Sequence, residues 1–179
     1  MHPDAVVDFW FAELTPAQWW RVDAALDETI RTRFGALHRA AGAGELACWR
    51  ETAHGRLAEV IVLDQFSRNL YRGTAAAFAC DGMALVLAQE AVRAGADQQL
   101  PVQQRAFFYL PWMHSESLRL HDEALRLFSA PGMEGNLQAE HQHRAILERF
   151  GRYPHRNAAL GRVSTPEEEA FLLQPGSRF

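Results

Sequence analysis

The sequence predicts an all-α fold of about eight helices, and three observations carry that reading. Apolar residues recur at helical spacing over most of the 179 positions. Alternation of the kind a half-buried strand needs persists nowhere, and helix starts and stops are marked by capping residues, prolines and glycines.

The first helix is expected over Pro3 to Glu13. Thr15-Pro16-Ala17-Gln18 then places a hydroxyl at the N-cap, Pro at N1 and Gln at N3, a capping box that opens a helix from Pro16 to Ala41 with a weak point near Gly35. A short helix follows over Glu45 to Glu51. Arg56 to Tyr71 is expected to lie centrally, because Leu57, Val60, Ile61, Val62, Leu63, Phe66, Leu70 and Tyr71 leave it apolar nearly all round. Ala75 to Ala94 lies between Gly73 and Gly95. Val102 to Phe128 is read as one long helix that Pro111 kinks or interrupts, and Leu137 to Phe150 stops at Gly151. A second capping box, Thr165-Pro166-Glu167-Glu168, opens the last helix, Pro166 to Leu173. The connections are too short to part domains, so residues 1–179 are expected to form one.

Composition bounds the function. An apolar fraction of 48% and a charged fraction of 22% fit a globular chain with a sizeable core. A net charge of -4 argues against nucleic acid, whose binding needs a positive field. Every basic side chain is arginine, so no lysine is present to form a Schiff base and each cationic site can grip a carboxylate or phosphate bidentately. The opening residues lack a signal-peptide pattern, and no stretch approaches the length of a membrane span, so a cytoplasmic protein without membrane partners is expected. Cys48 and Cys80 stand apart without a CxxC and read as reduced thiols. The sequence has no HExxH, phosphate loop or GxSxG elbow, and neither a metal nor a cofactor is expected.

Three helices place an ionisable group on an apolar face. Asp64 continues the stripe of Leu57 and Ile61, with Arg68 at i+4 and Arg72 at i+8, so an Asp64–Arg68 pair is expected to satisfy a buried carboxylate. His114 and His121 occupy two steps of the stripe Phe107, Leu110, Leu118, Leu125, Phe128, and His114 is expected inside. His143 shares a face with Ile146, Leu147 and Phe150 and should also be inside, with His141 outside. Beyond them, Gly151 and Pro154 break helical order among Arg149, Arg152, His155, Arg156, Asn157 and Arg162, where a stiff turn could present guanidinium groups to an anion.

These residues also carry a resemblance. Leu63-Asp64-Gln65-Phe66-Ser67-Arg68-Asn69, Leu110-Pro111-Trp112-Met113-His114-Ser115-Glu116, and His143-Arg144 followed by Arg149-Phe150-Gly151-Arg152-Tyr153-Pro154-His155-Arg156-Asn157, then Leu160-Gly161-Arg162, are similar in type and order to the motifs of the bacterial DUF924 family. Val7-Asp8-Phe9-Trp10-Phe11 and Trp19-Trp20 resemble its N-terminal part. The resemblance implies a tetratricopeptide-like antiparallel helical array; it implies no activity, since the family name records an unknown function. The chain departs from the pattern at Ser67, where the family usually has proline, and at Ser117, where an acidic residue often stands.

Two function classes fit. In the first, a groove takes an anionic small molecule or a peptide carboxylate, with Arg68, Arg152 and Arg156 as clamps, Asn69 and Asn157 as orienting groups, and Arg72, Glu116, Arg149, His155 and Arg162 around them. In the second, an enzyme of hydrolase or group-transfer type uses His114 or His143 as base with Asp64 or Glu116 orienting it. A homo-oligomer is compatible with either.

Overall fold

Both capping boxes form. The Thr15 N–H donates to Gln18 Oε1 at 2.9 Å. At the second box Thr165 N–H donates to Glu168 Oε2 at 2.8 Å and Glu168 N–H to Thr165 Oγ1 at 3.2 Å, two otherwise orphaned helix-start donors satisfied reciprocally. The computed structural model describes residues 1–177, and among them there are helices and turns but no strand. In chain order the α-helices are α1 (Asp4–Asp8), α2 (Pro16–Trp19), α3 (Ala24–Gly42), α4 (Ala53–Ile61), α5 (Ser67–Leu70), α6 (Asp81–Arg93), α7 (Val102–Met113), α8 (Leu118–Phe128), α9 (Glu134–Phe150) and α10 (Pro166–Leu172). Two π-turns, Phe9–Glu13 and Val62–Phe66, interrupt the regular helix.

The chain divides into two compact units, Met1–Arg72 with Ala76–Pro111, and Gly73–Ala75 with everything from Trp112 onward. In the first unit α4 and the π-turn after it run through the middle: Leu57, Ile61, Val62, Leu63 and Phe66 are wholly inaccessible, beside Phe9, Trp10, Ile30 and Phe34. The Phe9, Phe34 and Phe66 rings meet at 4.9 to 6.1 Å. Gly55 opens this helix where no other residue fits, since a Cβ there would stand 1.9 Å from the Trp49 carbonyl oxygen. In the second unit α8 packs along α9 after the short turn Ser129–Met133, which leaves the two antiparallel. His121 of α8 meets Glu140 of α9, and Ala124, Phe128, His143 and Leu147 are buried on the same two helices, while Tyr153 closes a small core with Ile146 and Leu147.

Several sequence expectations are corrected. The helix from Pro16 breaks at Trp20–Asp23 and not near Gly35, because Asp23 accepts the Ala25 and Leu26 N–H groups and starts α3; Gly35 lies inside α3, where it weakens the helix without ending it. Val102 to Phe128 is two helices. Pro111 stays within α7, and the break falls after Met113, where Ser117 turns extended (φ -117°, ψ 112°) as the N-cap of α8. Leu118 consequently lies outside, 39% exposed. The expected helices at Glu45 and Arg56 become a 3-10 turn, Ala47–Glu51, and an α4 that starts at Ala53 on the Thr52 cap. Residues 75–93 do reach the length and apolarity of a membrane span, contrary to expectation. They form a 3-10 turn, Ala75–Phe78, and then α6, with Asp81 and Glu90 in ion pairs.

Candidate functional site

In the first unit the candidate residues surround the π-turn. Its extra residue per turn re-aims the side chains that follow, a distortion frequent at functional sites. Asp64, 1% exposed, takes Arg68 Nη1 at 3.1 Å, as its helical spacing predicts. The same guanidinium donates to the Asp64 carbonyl at 2.8 Å and bidentately to Asp81 at 3.0 and 3.1 Å. Gln65 Nε2 completes the Asp64 carboxylate at 2.6 Å. Asn69 and Arg72 are turned to another carboxylate: Asn69 Nδ2 reaches Asp27 at 2.8 Å and Arg72 grips it at 2.9 and 3.0 Å. Ser67 donates to the Leu63 carbonyl and meets His38 Nε2 at 2.7 Å, a link that a proline at this position would not make. Burial, and secondarily the charge of Arg39, lowers the His38 pKa.

In the second unit three imidazoles gather about Tyr153. The rings of His143, His121 and His155 lie 5.8, 6.4 and 5.6 Å from the tyrosine ring, and Arg156 lies over its face at 4.7 Å. His143 is buried as its phase predicts, and His141 is exposed. His114, expected inside, is half-buried, because it stands just past the end of α7 instead of inside a continuous helix. His143 Nδ1–H donates to the Ala139 carbonyl at 2.8 Å, which places the ring's lone pair on Nε2. Burial pushes its pKa down to about 3; the nearby imidazoles of His114, His121 and His155 push the same way, and the Ala139 carbonyl opposes them without compensating. A base so weak stays unprotonated at neutral pH and is poorly matched to general-base work there.

The arginine turn is pinned by the chain's own carboxylates. Gly151 adopts the left-handed conformation (φ 68°) that ends α9, and Pro154 starts a 3-10 turn. Arg152 grips Glu168 at 2.6 and 2.8 Å, Arg162 grips Glu116 at 2.7 and 2.9 Å, and Arg149 pairs with Glu167 at 2.8 Å. Asn157 is held between Arg162 and Ser164 at 2.9 and 3.0 Å. Arg152 drives the Glu168 pKa down to about 2. Burial raises Glu116, but Arg162, the Tyr153 N–H and the charge of Arg156 outweigh it and hold this carboxyl below its ordinary range. Arg152, expected as a clamp, is in an internal pair here, as are Arg149 and Arg162.

Sequence reasoning passed over the best-connected group of this unit. His121 and Glu140, each with no accessible surface, meet at 2.5 Å between Nδ1 and Oε1. His121 Nε2 faces the Ser115 carbonyl at 2.9 Å and the Tyr153 hydroxyl at 3.2 Å, and that hydroxyl donates to the Met113 carbonyl at 2.6 Å. His121 lay on the predicted stripe; nothing local marked Glu140 or Tyr153 as its partners. Among the described residues no group of three or more His, Cys, Asp or Glu side chains is placed to hold a metal ion.

Comparison with known proteins agrees with the motif order. The family model described as a bacterial protein of unknown function, DUF924, matches residues 6–176. The chain belongs to the DUF924 family. A solved structure from Agrobacterium tumefaciens, described as a protein of unknown function, is 42% identical, with 96% of each chain covered and a TM-score of 0.89. No curated protein matches. The DUF924 assignment accounts for the all-helical fold, and the chemistry rests on the side chains themselves.

Proposed function

We propose that this DUF924 protein is a cytoplasmic binding module whose second unit takes the oxyanion of a small molecule or of a peptide carboxylate. One observation carries the reading: the donors Arg156 and His155 pack on the buried Tyr153 ring, with the His143 ring beside them. Nitrogen donors grouped around a rigid ring suit an oxyanion, because little conformational freedom is lost on contact. Arg152 and Arg162 serve as the frame, since each already grips a glutamate. A tetratricopeptide-like array, one domain, and partners other than nucleic acid or membrane belong to the same reading.

Thermal stability measured against phosphate, citrate and a short acidic peptide at constant ionic strength tests it. Citrate should raise the melting temperature of the wild type and of Arg152→Ala, which loses stability but keeps binding, and not of Arg156→Gln or His155→Gln. A response to the peptide alone would assign the carboxylate to a protein partner. The absence of any ligand-dependent shift in the wild type, or its loss in Arg152→Ala as fully as in Arg156→Gln, overturns the reading. A hydrolase or group-transfer enzyme is the second reading, favoured by His114, which keeps accessible surface beside the buried imidazoles; its test is turnover of ester and phosphoester substrates that His114→Gln abolishes.

A further inference from the structure

We infer that Glu140 is the positioning residue of this site, acting on a bound oxyanion through His121 and Tyr153; the inference rests on the binding role just proposed. The Tyr153 ring is the surface on which Arg156 lies and against which His143 and His155 pack. Where that ring stands decides where the Arg156 and His155 donors stand. Its backbone end is fixed by Glu116, which accepts the Tyr153 N–H at 2.7 Å, and by Arg162, which donates to the Tyr153 carbonyl at 3.1 Å. Its far end is fixed by the Met113 carbonyl and by His121 Nε2.

The tyrosine's single hydroxyl proton goes to Met113, so at His121 the oxygen accepts, and His121 Nε2 must carry a hydrogen. On its other side His121 Nδ1 meets the Glu140 carboxylate at 2.5 Å, and a proton lies in that contact as well. Glu140 therefore fixes which way the His121 ring faces and holds its Nε2–H on the Tyr153 hydroxyl. The carboxylate has no other hydrogen-bonded duty: Oε2 is buried with no hydrogen-bond partner among the described residues. A buried carboxylate with one oxygen unsatisfied is an expensive way to hold two helices together, and an apolar side chain of similar size would do that more cheaply. Orientation of His121 is what the carboxylate supplies and an apolar side chain could not.

The test is Glu140→Gln, which keeps the volume and removes the charge, read by histidine nitrogen NMR and by citrate titration. In the variant the His121 Nε2–H signal should move from its wild-type position, the Arg156 Nε–H resonance should leave its ring-shifted position over Tyr153, and citrate affinity should fall at least fivefold. Unchanged citrate affinity alongside a changed His121 signature overturns the inference. If the wild type takes up no citrate, the binding role fails by itself, and the positioning claim is judged on the Arg156 resonance, an unmoved signal counting against it. Should Glu140→Gln not fold, Tyr153→Phe breaks the same chain at the hydroxyl: a fivefold loss of citrate affinity supports the inference, and wild-type affinity overturns it.

Discussion

His121 and Glu140 come from helices adjacent in the chain and meet side chain to side chain, 2.5 Å apart, where water reaches neither. The pair ties α8 to α9 at the level of Tyr153, and Arg144 ties the same helices one turn further along by pairing with the exposed Asp122. A buried pair and an exposed one on a single interface should differ sharply in worth. Removing one member of the buried pair strands the other in a low-dielectric interior, which costs about 3–5 kcal/mol, whereas exposed pairs contribute about 0–1 kcal/mol. Glu140→Ala should therefore destabilise by several times more than Asp122→Ala in urea unfolding, and equal losses would mean that water enters the α8–α9 interface.

Acid should weaken the protein in two steps. The folded pKa of His143, about 3, lies below the ordinary imidazole value of 6.5, so as the pH falls between them the unfolded chain binds a proton that the folded chain refuses. Its contribution is complete above 6.5 and declines toward 3, at up to about 1.4 kcal/mol per pH unit. Glu168 acts lower: its folded pKa of about 2 is below 4.5, so its contribution is complete above 4.5 and lost toward 2. Urea midpoints of His143→Gln should flatten against pH between 6.5 and 4.5, where Glu168 is silent. A slope identical to the wild type's there would show that His143 titrates normally.

Asp64→Ala should cost about 3 kcal/mol, at the low end for a broken buried pair, because Arg68 keeps Asp81 as a partner. Asp81→Ala should cost less, its side chain being more exposed. Chemical denaturation of both variants checks the order, and the reverse order would place the main anchor of Arg68 at Asp81.

Two glycines should separate space from backbone conformation. Gly55→Ala drives a Cβ to 1.9 Å from the Trp49 carbonyl oxygen and should cost about 3 kcal/mol as α4 or the preceding turn shifts. Gly151→Ala meets nothing within 4 Å but must hold φ at 68°, and should cost about 1 kcal/mol. Melting temperatures suffice to compare them.

The fold was legible wherever the signal was local. Both capping boxes, the central burial of Leu57 to Phe66 and the Asp64–Arg68 pair follow from spacing along one helix. Glycine and proline point to breaks near Gly35 and Pro111, but the side chain of Asp23 accepts two N–H groups and begins α3 there, while at Ser117 the extended backbone ends one helix and begins the next without a side-chain cap. The site was only half legible. Helical phase puts His121 and His143 inward, but which carboxylate meets which imidazole depends on how α8 lies against α9, and no periodicity in one segment encodes that. The internal pairs of the arginine turn were hidden for the same reason: Glu116 and Glu168 lie 46 and 16 positions from the arginines they neutralise.

The π-turn at Val62–Phe66 makes chain length part of the motif it contains. An α-helix turns by about 100° per residue, so deleting one residue there to restore regular winding would rotate everything downstream by that angle. Arg68 would swing off Asp81 and Asn69 off Asp27, though no side chain had been changed. The number of residues in this segment is therefore as much a part of the Asp64 and Asp27 contacts as the side chains that make them.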